Sequence, residues 1–270
     1  MNNLQRLAVV YPSGNTTAVV FDALPASQNR KMLNKQIIRA WEKEFPDRPA
    51  IEQCCLVATP RSADAVLRVA MFGGEFCGNA TRGALWLLAK DRYSSGLVEV
   101  SGVDYPLAFE IQGREVLLEM PLPRQGQLLR PVAEGQLVQL DGITQLVVSQ
   151  TGQAQNPRAL LTKLLSTNTY DLARQPCVGV ACYDSISGQA QFCVWVRDVG
   201  TMFDETACGS GTCAIGIARA WESGKDTALS VIQPSGEVIK TTATYAAGSV
   251  RTSFIAGTVE ILYDGAFTLA

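Results

Sequence analysis

A chain of 270 residues holds one large or two small globular domains at ~100–200 residues per domain. Its 47% hydrophobic and 18% charged residues exclude disordered, collagenous and coiled-coil classes. Twenty-three basic against 25 acidic side chains leave a net charge of -2. No basic run offers a footprint for nucleic acid or an anionic membrane, so the expected partner is a small molecule.

The chain has no histidine. That excludes Ser-His-Asp and Cys-His catalysis and His-ligated metals, and leaves acid-base work to Cys, Glu, Asp, Lys or Tyr. The apolar run at 7–10 is too short for a signal-peptide core, and no stretch approaches the ~20 apolar residues of a membrane span. Eight cysteines without an export signal read as reduced thiols of a cytoplasmic protein. Their spacings match no zinc site, so no metal is expected.

In chain order, strand-like runs occupy 7–10 and 17–21. An amphipathic helix follows, with Ser27 as its N-cap and Leu33, Ile37, Ile38 and Trp41 at helical spacing, ending before Pro46. Further strand-like runs at 65–71, 97–100, 106–111 and 115–120 complete the first half. Residues 122–127, LPRQGQ, form a turn-rich polar break. Beyond it come a strand at 146–149, a helix over 158–165, and strands at 178–183 and 191–196 around a Ser187-Gly188 turn. Strands at 230–233, 238–242, 249–255 and 259–263 close the chain.

Two segments are apolar all round, as buried helices are: 80–89, ATRGALWLLA, and 211–220, GTCAIGIARA. In register they form an internal repeat, Cys77-Gly78-Asn79-Ala80-Thr81 against Cys208-Gly209-Ser210-Gly211-Thr212, with the second copy 131 residues on. The repeat predicts an α/β chain of the α+β kind, built as two pseudo-symmetric halves, 1–122 and 123–256. Each half is a curved mixed β-sheet around a central helix.

Each copy places Cys-Gly-polar-small-Thr where a buried helix begins. A helix N-terminus carries about half a positive charge and favours a thiolate. Gly78 and Gly209 let a ligand approach the backbone, whose N–H groups suit a carboxylate. Inverting a stereocentre requires one group to take a proton from one face while another delivers a proton to the opposite face. Two thiols, Cys77 and Cys208, do both, with no cofactor. A buried cysteine is more commonly a small hydrophobe, and Cys54, Cys55, Cys177, Cys182, Cys193 and Cys213 read that way. The 209–214 run GSGTCA fits a loose dinucleotide pattern, but polar FDET precedes it where an apolar strand should end.

These residues resemble the diaminopimelate epimerase family of cofactor-independent amino-acid racemases and epimerases, over essentially the whole chain. The landmarks are PSGNTT at Gly14 and Asn15, the pair Glu52 and Gln53, CGNAT at Cys77, ETACGSGT, QPSGEV at Gln233, and the closing FIAGTVEILYDG. The resemblance implies two α/β halves, with 257–270 returning to the first, and Cys77 and Cys208 as opposed acid and base. It places Asn15 and Gln53 around the substrate, Glu52 on its α-ammonium or side chain, and the backbone of Asn79 and Ser210 on its carboxylate. Plainer roles stand beside these: a turn residue for Asn15, a strand-end surface carboxylate for Glu52, and helix caps for Asn79 and Ser210.

Departures bear on the substrate. Met71 and Cys177 stand where the family has substrate-binding Asn residues, and VGTMFDETAC lacks the expected Glu-Arg pair. Asn156, before Pro157, is either a third such Asn or a helix cap. Diaminopimelate therefore fits poorly. The motif wording is closest to the branch that includes the histidine racemase of staphylopine-type metallophore synthesis. The resemblance thus implies a racemase of a free amino acid, with histidine favoured. The alternatives are an epimerase of diaminopimelate or another amino-acid intermediate, or a silent amino-acid-binding module. The oligomeric state stays open, a homodimer included.

Overall fold

The structure, a computed structural model, describes residues 3–21, 27–150, 155–197 and 200–269, without the side chains of 3–5, 27–29 and 150. The Ser27 side chain expected to cap a helix is outside the described set.

The first half contributes β1 (Asn3–Pro12), β2 (Thr17–Val20), α1 (Ser27–Glu44), β3 (Gln53–Ala58), β4 (Ala65–Met71), α2 (Gly78–Ala89), β5 (Ser95–Val100), β6 (Leu107–Gln112) and β7 (Glu115–Glu119). The second contributes β8 (Leu129–Val132), β9 (Gly135–Leu140), β10 (Ile143–Gln150), α3 (Pro157–Ser166), β11 (Cys177–Asp184), β12 (Ala190–Val196), β13 (Thr201–Asp204), α4 (Gly209–Ser223), β14 (Thr227–Ile232) and β15 (Val238–Ala246). A final strand, β16 (Ser249–Thr268), runs through both. Contacts divide the chain into two compact units: Met1–Leu118 with Gly257–Ala270, and Glu119–Ala256. The 122–127 segment is the bend between β7 and β8.

In the first unit the strand order is β1-β2-β3-β4-β5-β6-β7-β16, and β16 pairs again with β1, so the sheet closes around α2. The strands alternate as their sequences require: Leu107, Phe109 and Ile111 of β6 point inward while Glu110 and Gln112 face water. Small residues let α2 sit close to β1. A Cβ on Gly83 would come within 2.7 Å of Val10 Cγ2. Helix α1 packs outside the sheet, burying Ile37 and Trp41 against Leu7, Val9 and Leu56, each worth about 1.5–3 kcal/mol relative to exposure. The Trp41 indole N–H donates to Pro49 O at 2.9 Å.

The second unit has one sheet in the order β13-β12-β11-β10-β9-β8 and an antiparallel set β14-β15-β16. Helix α4 packs against β15 and β14 on one side and β9, β10 and β11 on the other. Gly216 lets α4 lie close to β15, since a Cβ there would stand 2.6 Å from Thr241 Oγ1. Helix α3 covers β11 and β12 with Leu161 and Leu164. Asn156 Oδ1 accepts the Ala159 N–H at 3.0 Å, so this residue caps α3 with Pro157 at its first turn.

The two closing strands expected at 249–255 and 259–263 are one strand of 20 residues. Gly257 falls between those two runs, yet it lies inside the ladder, where a Cβ would meet Ser13 Oγ and Arg82 Nη1. Strands β3, β8, β9 and β13 carry no clear period in the sequence and appear only as sheet neighbours of stronger strands. Among the described residues no helix is long and apolar enough to cross a membrane.

Candidate functional site

Cys77 precedes the first residue of α2 in extended conformation, φ −137 and ψ 112, and is the helix N-cap. Its sulfur accepts the Ala80 N–H at 3.5 Å, and Thr81 Oγ1 donates to its carbonyl at 2.8 Å. Cys208 repeats this arrangement on α4. Its φ and ψ are −123 and 105, its sulfur accepts the Gly211 N–H at 3.4 Å, and Thr212 Oγ1 donates to its carbonyl at 2.7 Å. Identical spacing in the sequence thus folds into one local geometry twice, with Gly78 and Gly209 as the first helical residues. The caps are the cysteines themselves, not Asn79 or Ser210.

In the first unit the turn at Ser13 (φ 55) and Gly14 (φ 104) delivers Asn15 beside β3. Asn15, 1% exposed, donates from Nδ2 to Glu52 Oε2 at 3.0 Å. Its Oδ1 accepts from Gln53 Nε2 at 2.5 Å and from Thr17 Oγ1 at 3.1 Å. Glu52 Oε1 also accepts the Thr16 N–H at 3.3 Å. Gln53 Oε1 then accepts the Cys77 thiol at 3.2 Å. Asn79 Oδ1 accepts from Arg82 Nη2 at 2.9 Å, and Arg82 Nη1 donates to Ser13 Oγ at 3.3 Å. Arg82 is fully buried on α2, and its Nε has no hydrogen-bond partner. Burial pulls the Arg82 guanidinium down to about 10, with Cys77 and Glu115 opposing the shift.

In the second unit, Gln233 Oε1 accepts the Cys208 N–H at 3.0 Å while its Nε2 donates to Thr212 Oγ1 at 3.0 Å and Val231 O at 3.1 Å. Ser210 Oγ stands 3.5 Å from Cys208 Sγ and accepts from Gln145 Nε2 at 2.9 Å. Gly179 makes room for the buried Gln145, whose side chain would clash with a Cβ there.

Asn15, Glu52, Gln53, Cys77, Gly78 and Asn79 therefore come together in one unit, and Cys208, Gly209 and Ser210 in the other. The sequence reading missed Thr17, Arg82 and Gln145, and gave Gln233 no role. Arg82 left a signal, as the one charged side chain in an otherwise apolar helix segment; Gln145 left none. None of the eight cysteines is in a disulfide. Burial pushes the thiols of Cys193 and Cys213 up to about 12, and those of Cys54 and Cys55 higher. Among the described residues no three His, Cys, Asp or Glu side chains cluster as a metal site requires.

The family model described as the histidine racemase CntK N-terminal domain matches residues 7–267. A histidine racemase of Fusobacterium nucleatum is 28% identical over 182 residues, a match spanning 62% of this chain and 66% of that protein. It thus covers just under two thirds of the relative's length. A probable proline racemase of Agrobacterium radiobacter K84, solved with bound carbonate, gives a TM-score of 0.62 at 16% identity, covering 98% of this chain and 92% of that one. A hydroxyproline epimerase of Agrobacterium vitis with bound trans-4-hydroxy-L-proline gives 0.61 at 15%, with the same coverage. At such identities the structures show a shared fold. The racemase and epimerase resemblance read from the motifs agrees with the family match: the chain belongs to the histidine racemase CntK N-terminal domain family.

Proposed function

We propose that this protein is an amino-acid racemase that inverts the α-carbon of a free amino acid with two thiols, Cys77 and Cys208, and that histidine is its substrate. One observation carries the reading: both motif cysteines have the same cap geometry, each with an N–H donor on its sulfur. One cysteine as thiolate removes the α-proton, and the other as thiol delivers a proton to the opposite face. Reversing the direction exchanges the roles. The chemistry requires the two sulfurs to reach opposite faces of one α-carbon. Helix N–H groups at Gly78, Asn79, Gly209 and Ser210 hold the carboxylate and stabilise the charge that builds on it during proton removal.

Asn15, Glu52 and Gln53 form the polar wall beside Cys77 that receives the rest of the substrate. Family membership and the Fusobacterium relative favour histidine. A protein that keeps the fold only to bind amino acids needs neither thiol.

The test is incubation of reduced protein in D2O with each L-amino acid, following α-proton loss by NMR and the D enantiomer by chiral chromatography. Exchange and racemisation are expected with histidine. Serine retains the N-cap, so Cys77→Ser and Cys208→Ser should fold normally. Each should lose racemisation by ~10²–10⁴-fold, while proton exchange persists for one enantiomer only, a different one in each variant. Racemisation at the parent rate in either variant would overturn the two-thiol reading.

A further inference from the structure

The two capped helices differ in charge at one fully buried position. Five residues past the motif cysteine, α2 carries Arg82 and α4 carries Cys213, both 0% exposed. A helix inside a closed sheet is a poor place for a guanidinium, because an unbalanced buried cation is strongly unfavourable. Its hydrogen bonds go to neutral oxygens, Asn79 Oδ1 and Ser13 Oγ, and Nε has none. Those bonds fix the charge at the same helix end as Cys77.

We propose that Arg82 is a positioning residue whose guanidinium, fixed by Asn79 and Ser13, is the counter-charge for the Cys77 thiolate, so that Cys77 ionises at lower pH than Cys208. The proposal rests on the two-thiol reading for its part in turnover. Cys77 then has a partner in each protonation state: Gln53 Oε1 accepts from the thiol, and Arg82 with the Ala80 N–H balances the thiolate.

The other groups around each sulfur do not reverse this order. Near Cys77, Glu52 acts through the neutral amides of Asn15 and Gln53. Glu75, two residues upstream, is shifted toward its neutral form by burial, as are Cys54 and Cys55 on β3. Glu115 on β7 offsets part of the Arg82 charge. Near Cys208, Ser210, Gln145, Gln233 and Cys213 are neutral. The charged residues just ahead of it, Asp204 and Glu205, are acidic, and Asp204 is held by Arg158 at 2.7 Å. Cys208 is also the more deeply buried, at 4% exposure. A fixed cation outweighs neutral dipoles, and burial disfavours a thiolate at Cys208.

The test is pulse alkylation of reduced protein with iodoacetamide across a pH series, with Cys77 and Cys208 peptides quantified separately by mass spectrometry. The thiolate displaces iodide, so each midpoint reports ionisation independently of access. In the parent protein the Cys77 midpoint should lie below that of Cys208 by about one pH unit or more. Arg82→Met should raise the Cys77 midpoint by about one unit or more and leave that of Cys208 unmoved, and Arg82→Lys should restore most of the difference. A Cys77 midpoint equal to or above that of Cys208 in the parent overturns the proposal without any variant having to fold. So does an unmoved Cys77 midpoint in an Arg82→Met protein with native circular dichroism. The readout needs no turnover, so it stands apart from the exchange assay that tests the two-thiol reading.

Discussion

Gln53 Oε1 stands 3.2 Å from the sulfur of Cys77, and Gln53 is not at liberty to turn its amide round. The constraint begins at Glu52. A carboxylate only accepts, so Asn15 must present Nδ2 to it. Asn15 Oδ1 is then left to accept from Gln53 Nε2 and Thr17 Oγ1, and Gln53 can show Cys77 only its oxygen. An exposed charge thus sets which atom faces a thiol three side chains away.

Replacing Glu52 by Gln supplies a group that donates as well as accepts, and both amides regain two orientations. Glu52→Gln should lower kcat/KM for α-proton exchange by about tenfold, the worth of roughly one hydrogen bond. Gln53→Leu should cost a similar factor. The pair should be non-additive, the double variant being little worse than either single one. Losses that simply multiply would mean that Glu52 and Gln53 act separately.

The two capped helix ends are unevenly legible in the sequence, for physical reasons. The paired cysteines, their glycines and their threonines are legible because a helix N-terminus imposes a fixed spacing of three and four residues between the cap and its partners. The central helices are legible because burial on all sides strips them of polar residues. Partners that arrive from other strands are not: Gln145 reaches Ser210 across 65 residues and Gln233 reaches Cys208 across 25. No local period encodes either contact. Strand β3 is hard to read because its first residue, Gln53, serves the site and the buried run Cys54–Leu56 that follows does not alternate, while the two runs of β16 part at Gly257, which stays in the ladder and makes room for Ser13 and Arg82.

Gln233 gives a second prediction. It is buried and fully occupied, with its carbonyl on the Cys208 N–H and its amide on Thr212 Oγ1 and Val231 O. Gln233→Leu keeps the volume and removes every bond, leaving a buried N–H and other groups at the start of α4 without partners, at about 1–3 kcal/mol each. The melting temperature should fall by several degrees, at roughly 2–4 °C per kcal/mol for a chain of this size. Racemisation should fall further than the folded fraction explains, because the Cys208 cap is no longer held. A loss of activity no greater than the loss of folded protein would assign Gln233 to stability alone.

The buried thiols give the last prediction, on alkaline stability. Cys54, Cys55, Cys193 and Cys213 are held well above the ordinary thiol value of ~8.5, by burial above all, Cys193 and Cys213 at about 12. In the unfolded chain they ionise near ~8.5. Above that pH the folded protein binds more protons than the unfolded one, so stability falls as pH rises. The contribution is complete below ~8.5 and is lost progressively until the folded-state value is reached, at about 1.4 kcal/mol per thiol per pH unit. Because each unfolded thiol is only half ionised at ~8.5, the loss over the first such unit is about 1 kcal/mol per thiol, or ~4 kcal/mol for the four together, and the urea midpoint of reduced protein should drop visibly between pH 8.5 and 10. Cys213→Ala removes one of the four titrating groups and should shallow that slope by about a quarter, whatever it does to stability at pH 7. A midpoint that stays level from pH 8.5 to 10 would show that these thiols meet water in the folded protein, and that the sheets do not close over β3 and α4 as tightly as their packing indicates.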